Sequence, residues 1–208
     1  PDGRGAMRNR LNPAMLPEGS EDRMTHTEPR AVLLRGVNVS GANRLPMAGF
    51  RELLATLGLD KVETYIQSGN AVFTGGPPDA ELAPALRAAI RAAHGFAPEV
   101  FLLRLPALQF ALDHPFGPEA DPARIHAVFL ADPAPAFEEA RLQALRQDEA
   151  WTLRPGLLLL HTPAGIGRSK LAEALPRALK APQTARNLKT VAALAAMLAS
   201  RSREDGAG

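Results

Sequence analysis

Four cations are placed where they could do chemistry: Arg35, Arg44, Arg186 and Lys189. Each lies in a polar segment at the end of an apolar run. An arginine offers five donors in a rigid planar fork that matches carboxylate or phosphate. Arg35 follows the apolar AVLL of 31–34 directly, and Asn38, Gly41, Asn43 and Arg44 fill the loop behind it. Asn and Gly tolerate left-handed backbone and Asn bonds to nearby peptide groups, so turn-making alone accounts for Asn38 and Asn43. It does not account for the arginines. Arg35 is expected either to contact an anionic ligand or to hold the loop through an internal salt bridge.

A second cluster, TYIQSGN at 64–70, holds the only tyrosine of the chain. Tyr65 and Gln67 are expected on one strand face by two-residue alternation. Gln67 and Asn70 could recognise a base or amide edge, while Ser68-Gly69 reads as the turn of a hairpin. A third cluster, AGIGRSK at 164–170, lacks the G-x-x-x-x-G-K-[ST] spacing of a phosphate loop. It can still lead into a helix with free N–H groups, with Ser169 as N-cap and Lys170 as an anion contact.

TARNLKTV at 184–191 carries a sharper argument. With Thr184 as cap of the last helix, Arg186 falls in the first turn and Lys189 shortly after. A start at Asn187 puts Lys189 in the first turn instead. Positive side chains there oppose the helix macrodipole, where an acid would be worth about 0.3–1 kcal/mol. No acid occurs between Glu173 and Glu204. An acid from another element or a bound anion would resolve the conflict, so Arg186, Asn187 and Lys189 join the expected ligand contacts.

Proton-transfer candidates are few. Tyr65, His126 and His161 are the weak catalytic candidates, the two histidines as a pair projecting from strands of one half. The histidines show no metal-ligand spacing, so neither metal nor cofactor is expected. The chain has no G-x-S-x-G elbow, no G-x-G-x-x-G after a strand and no paired carboxylates in the polar clusters.

The elements that must position these residues follow from periodicity. Residues 31–37 read as a strand, Met47 to Leu57 as a helix stopped by Gly58, and 62–66 with 71–74 as a hairpin. Asp79 is expected to cap a helix carrying Leu82, Leu86 and Ile90 and ending at Gly95, before a strand over 98–104. This β-α-β-β-α-β order is the ferredoxin-like arrangement. The second half repeats it: a strand over 125–130, a helix opened by Asp132-Pro133, a hairpin of 150–154 and 157–161, and a helix over 169–179. A closing strand near 180–184 and a final helix complete the half. The fold expected is α+β, two tandem ferredoxin-like subdomains packed as one unit with a C-terminal helix. Its subdomains span 30–104 and 123–199, joined by a helical linker over 105–122, with disordered tails at 1–23 and 200–208. A single mixed α/β sheet is the competing architecture.

Bulk properties exclude several classes. With no cysteine there are no disulfides, thiolate metal sites or cysteine nucleophiles, which fits a cytoplasmic location. No run reaches the ~18–20 apolar residues that span a bilayer. Formal net charge is +2, but residues 168–208 hold eight Lys/Arg against three acids, and 77–150 hold eleven acids against six Arg. Such separation suits an anionic partner at one end, and also self-association.

The words LLRGVNVSGANRLPM (33–47), TYIQSGNAVF (64–73), HPFG (114–117) and TARNLKTV (184–191) resemble the bacterial family catalogued as domain of unknown function number 1697. The resemblance spans about Arg30 to Leu198. It implies a pair of ferredoxin-like subdomains and leaves activity unassigned. The family usually carries a second glycine where this chain has Ser40, and Trp where it has Leu188, which removes a stacking surface there. The functional expectation is a phosphate-bearing ligand, with nucleic acid the leading polymer. An enzyme acting on a phosphorylated or carboxylated small molecule is the second reading. A non-catalytic self-associating scaffold is the third.

Overall fold

The computed structural model describes residues 28–205 apart from Ser40; the tail expected at 1–23 lies outside the described residues. The first half runs β1 (Arg30–Leu34), α1 (Met47–Thr56), β2 (Leu59–Tyr65), β3 (Asn70–Gly75), α2 (Asp79–His94), β4 (Val100–Leu103) and α3 (Leu105–Leu112). The second runs β5 (Ile125–Leu130), α4 (Glu139–Gln143), β6 (Ala150–Arg154), β7 (Leu157–His161), α5 (Lys170–Ala178), β8 (Gln183–Asn187) and α6 (Leu188–Asp205). The two sheets are ordered β2-β3-β1-β4 and β6-β7-β5-β8, and every neighbouring pair is antiparallel. Position for position the halves share one topology, so the ferredoxin-like duplication holds and a single mixed sheet does not form.

Both sheets are covered on both faces, so every residue of β1, β3 and β5 and all but the last of β7 are buried, and these strands are mostly apolar rather than alternating. Val32, Leu34, Ala71 and Phe73 pack outward against Phe50 and Leu54 of α1 and Leu82, Leu86 and Ile90 of α2. Val128, Leu130, Leu158 and Leu160 do the same against Leu142 of α4 and Leu171 and Leu175 of α5. The opposite faces share one core: Ala31, Leu33 and Val72 of the first sheet, Ile125, Ala127 and Leu159 of the second, with Leu108 of α3 and Leu188, Val191, Leu194 and Leu198 of α6. The order of layers is therefore helices, sheet, α3 with α6, sheet, helices.

Several boundaries differ from expectation for identifiable reasons. Within the segment expected as a helical linker over 105–122 the helix is α3, which begins two residues after the end of β4, much as α6 begins directly after β8. Asp132 opens no helix: its carboxylate accepts the Ala134 N–H at 2.9 Å, and the prolines at 133 and 135 hold their preceding residues out of helical geometry. The closing strand is 183–187 rather than 180–184, so Thr184 and Arg186 are strand residues and Thr184 caps nothing. Asn187 caps α6, its Oδ1 accepting the Thr190 N–H at 2.9 Å. That helix continues to Asp205, so 200–205 is helical rather than tail. Asp79 is the first residue of α2, not its cap; its carboxylate bonds Arg30 and Arg104, both at 2.7 Å.

Among the described residues, no helix is long and apolar enough to cross a membrane.

Candidate functional site

Arg186 sits on β8 beside Ala127 of β5 and reaches into the other half of the molecule. Its Nε donates to Asn70 Oδ1 (2.6 Å), and its Nη2 to the carbonyls of Leu34 (2.7 Å) and Ser68 (2.9 Å). Its Nη1 donates to Thr184 Oγ1 and the Ala185 carbonyl at 2.9 and 2.8 Å. All five donors are thus taken, and the expected direct ligand contact is a clamp between the halves. Burial pulls the guanidinium down to about 10, so it remains charged near neutral pH. It has no carboxylate partner among the described residues.

The loop after β1 is built around Asn38, in left-handed backbone (φ 55°). Its side chain accepts the Leu45 N–H at 2.8 Å and donates to the carbonyls of Leu45 and Gln67. Asn43 (φ 51°) donates to the Gly36 carbonyl. Both asparagines are therefore spent on shaping the loop. Gly69 of the hairpin (φ 68°) fits because a Cβ there would run into Val37 and Leu34. Asn70 is fully buried, donates to Ser68 Oγ and the Tyr65 carbonyl, and meets Arg186. The clamp thus fastens the loop, the hairpin and β8 at one end of both sheets. That is how residues from three of the four sequence clusters come together.

Arg35 emerges from this frame exposed, and its side chain makes no hydrogen bond or salt bridge among the described residues. It borders a groove of about 260 Å³ between the halves, lined also by Val39, Ile166, Leu175, Gln183 and Arg186. Two further cavities adjoin through Ile166. One, of about 360 Å³, is lined by Arg124, His126, Gly165 and Arg168. The other, at the start of α5, is lined by Arg168, Ser169, Lys170 and Glu173. Arg124, Arg168 and Lys170 likewise lack a side-chain hydrogen bond or salt bridge among the described residues. Ser169 caps α5 as expected, accepting the Ala172 N–H at 3.0 Å. Gly165 (φ 97°) lets the Arg124 guanidinium lie against its backbone.

Other expected residues fall elsewhere. Gln67 lies in the turn rather than on the strand face of Tyr65, because β2 ends at Tyr65; it is exposed. Arg44 is exposed in the loop. Tyr65 is half-buried against the shared middle core. His126 and His161 do not pair: in the β5–β7 register His126 faces Leu160 while His161 faces Ile125, on opposite sheet faces. His161 lies against Phe116, ring centroids 5.4 Å apart. Leu188 is 1% exposed in the middle core, so position 188 presents no stacking surface whatever residue fills it. Lys189 is in the first turn of α6, and the acid that offsets it is Asp121, at 3.6 Å. Of the two expected resolutions, an acid from another element or a bound anion, the structure supplies the acid: Lys189→Glu should lower the urea midpoint slightly. A stabilised variant would show that the macrodipole outweighs Asp121.

Arg124, Ile166 and Arg168 escaped sequence reasoning. Only the cations within AGIGRSK hinted at them, and nothing local shows that Arg124, some forty residues earlier, joins that turn. No three His, Cys, Asp or Glu side chains gather to hold a metal among the described residues.

Residues 28–157 match the family described as "Protein of unknown function (DUF1697)". The conserved bacterial protein SP0830 from Streptococcus pneumoniae is similar in structure, with a TM-score of 0.62 and 28% identity. The match covers 82% of this chain and 98% of that one. No curated protein matches. The family match spans well over half of the chain, and the chain belongs to that family; Ile166, Arg168, Lys170 and Arg186 lie beyond the matched segment.

Proposed function

We propose that this family member binds a small phosphate-bearing ligand in the groove between its halves. Arg35 supplies the donors and Arg186 supplies positive charge from beneath. The observation that carries this reading is charge without counter-charge. A largely buried guanidinium solvated only by carbonyls and neutral side-chain oxygens underlies the groove, and Arg35 stands unpaired at its rim. Across the groove and the two adjoining cavities, Glu173 is the only acid on the walls among the described residues. An anion there gains from both cations without displacing an existing partner.

A nucleic-acid reading is weaker. Ferredoxin-like RNA binders use an open sheet face, and here both faces of both sheets are covered by helices. An enzyme would need a proton-transfer group at the groove, and Tyr65 and His161 are not on its walls.

Arg35→Ala tests the proposal cleanly because its side chain holds nothing in place. Calorimetric titration with inorganic phosphate and adenosine 5′-monophosphate should show affinity falling about 10- to 100-fold, the weight of one charge-assisted contact. The thermal midpoint should be unchanged. Unaltered binding in the variant, or a wild type that takes neither ligand, would retire the groove; a short single-stranded RNA that binds while both small ligands fail would restore the polymer.

A further inference from the structure

The proposed groove is one of two cationic positions, and the second has its own signature. Arg124, Arg168 and the Gly165–Gly167 backbone surround the 360 Å³ cavity, and no acid among the described residues lines it, the charge of Asp121 reaching Arg124 from outside its walls. His126, 9% exposed, is also on its wall, and its Nδ1 is buried without a hydrogen-bond partner. Leaving a buried polar atom unpaired carries a cost that native structures rarely bear without a reason. Between this cavity and the groove stands Ile166, common to both and 39% exposed. Val39, 57% exposed, stands on the groove side.

We infer that the ligand carries two separated anionic groups joined by an apolar or planar segment. One anion sits at Arg35 above Arg186, the second at Arg124 and Arg168 beside His126, and the joining segment covers Ile166. The inference rests on the groove reading and adds the second position and the spacer. The chemical class is a bisphosphate whose phosphates are held apart by a ring, of which a nucleoside 3′,5′-bisphosphate is the available representative. A compact polyanion places both charges at one end of the trough and leaves Ile166 bare. Burial pushes the His126 imidazolium below its ordinary value, so the ring is neutral and can donate one N–H to the second anion without adding charge.

Four probes test this by calorimetric titration: inorganic phosphate, pyrophosphate, adenosine 5′-monophosphate and adenosine 3′,5′-bisphosphate. The bisphosphate should bind about tenfold more tightly than the monophosphate, the gain from a second charge-assisted contact. Pyrophosphate should gain little over phosphate. Arg168→Ala and Arg124→Ala should erase the bisphosphate advantage while leaving monophosphate affinity intact. His126→Leu should also reduce the advantage, and its thermal midpoint should hold or rise because an unpaired buried nitrogen is gone. A purely structural histidine would lower the midpoint and leave the affinity ratio alone. Equal affinity for the two adenosine ligands, pyrophosphate matching the bisphosphate, or Arg168→Ala weakening both nucleotides alike would each overturn the second position. Loss of all binding in the wild type would instead overturn the groove itself.

Discussion

Arg186→Ala is expected to cost about 3–5 kcal/mol of folding stability, a large share of what a domain of ordinary stability has. Two opposing effects set that figure. Removing the side chain returns the desolvation cost of a guanidinium lowered to about 10, about 3 kcal/mol at 1.36 kcal/mol per unit. Against this, five hydrogen bonds from a charged donor are lost, and together they outweigh that return. Asn70 is fully buried, so its Oδ1 is left without a donor where water does not easily reach. Arg186→Lys keeps the charge but cannot serve five acceptors in a plane, and should recover less than half of the loss. Urea unfolding near neutral pH checks both variants. An alanine variant within about 1 kcal/mol of wild type would show that the clamp contributes orientation and not stability.

Asp79→Ala should be comparably damaging, at about 3–5 kcal/mol, because it strands a buried cation. Arg30 is 0% exposed and its Nε already lacks a partner. Its guanidinium lies 5.1 Å from the Phe73 ring centroid and donates to the carbonyls of Pro77 and Gly75. Asp79 is its only carboxylate among the described residues, and the other oxygen of that carboxylate holds Arg104. Burial alone would raise the Asp79 carboxyl, but hydrogen bonds from Arg30 and Arg104 outweigh it and hold the group below its ordinary 3.8. The sign follows. A carboxyl lowered in the folded state gives stability that is fully present above 3.8 and drains as pH falls through the lowered value. Unfolding free energy measured from about pH 6 to about pH 2.5 should fall more steeply in wild type than in Asp79→Asn, the two curves converging at the acid end. Parallel curves would show that Asp79 does not carry this acid sensitivity.

What could be read from the chain was whatever is local. Ile125–Leu130, Ala150–Arg154 and Leu157–His161 were bounded correctly because apolar runs there end in Arg, Asp and a Pro-Gly turn. β8 was misplaced because QTARN has one apolar residue, and its strand character comes from pairing with β5, over fifty residues earlier. Asp79 looked like a cap because capping is a local pattern, whereas its partners lie 49 and 25 residues away. Arg35 was recognisable as an exposed cation at a strand end. The role of Arg186 was not, since the atoms that occupy it come from residues up to 152 positions away.

The middle layer has a consequence for ancestry. A single repeat would leave the inner face of its sheet bare apart from one trailing helix, and a second copy supplies the matching face and helix. A lone ancestral repeat with this topology would therefore have gained its fold by pairing about a two-fold axis, with equivalent grooves at both ends. Joining the copies into one chain removes the obligation to keep the ends alike. They have diverged: where one end has Arg35 after β1 and Arg186 on β8, the corresponding places after β5 and on β4 hold Ala131 and Leu103. Fusion leaves the two ends free to hold different chemistry.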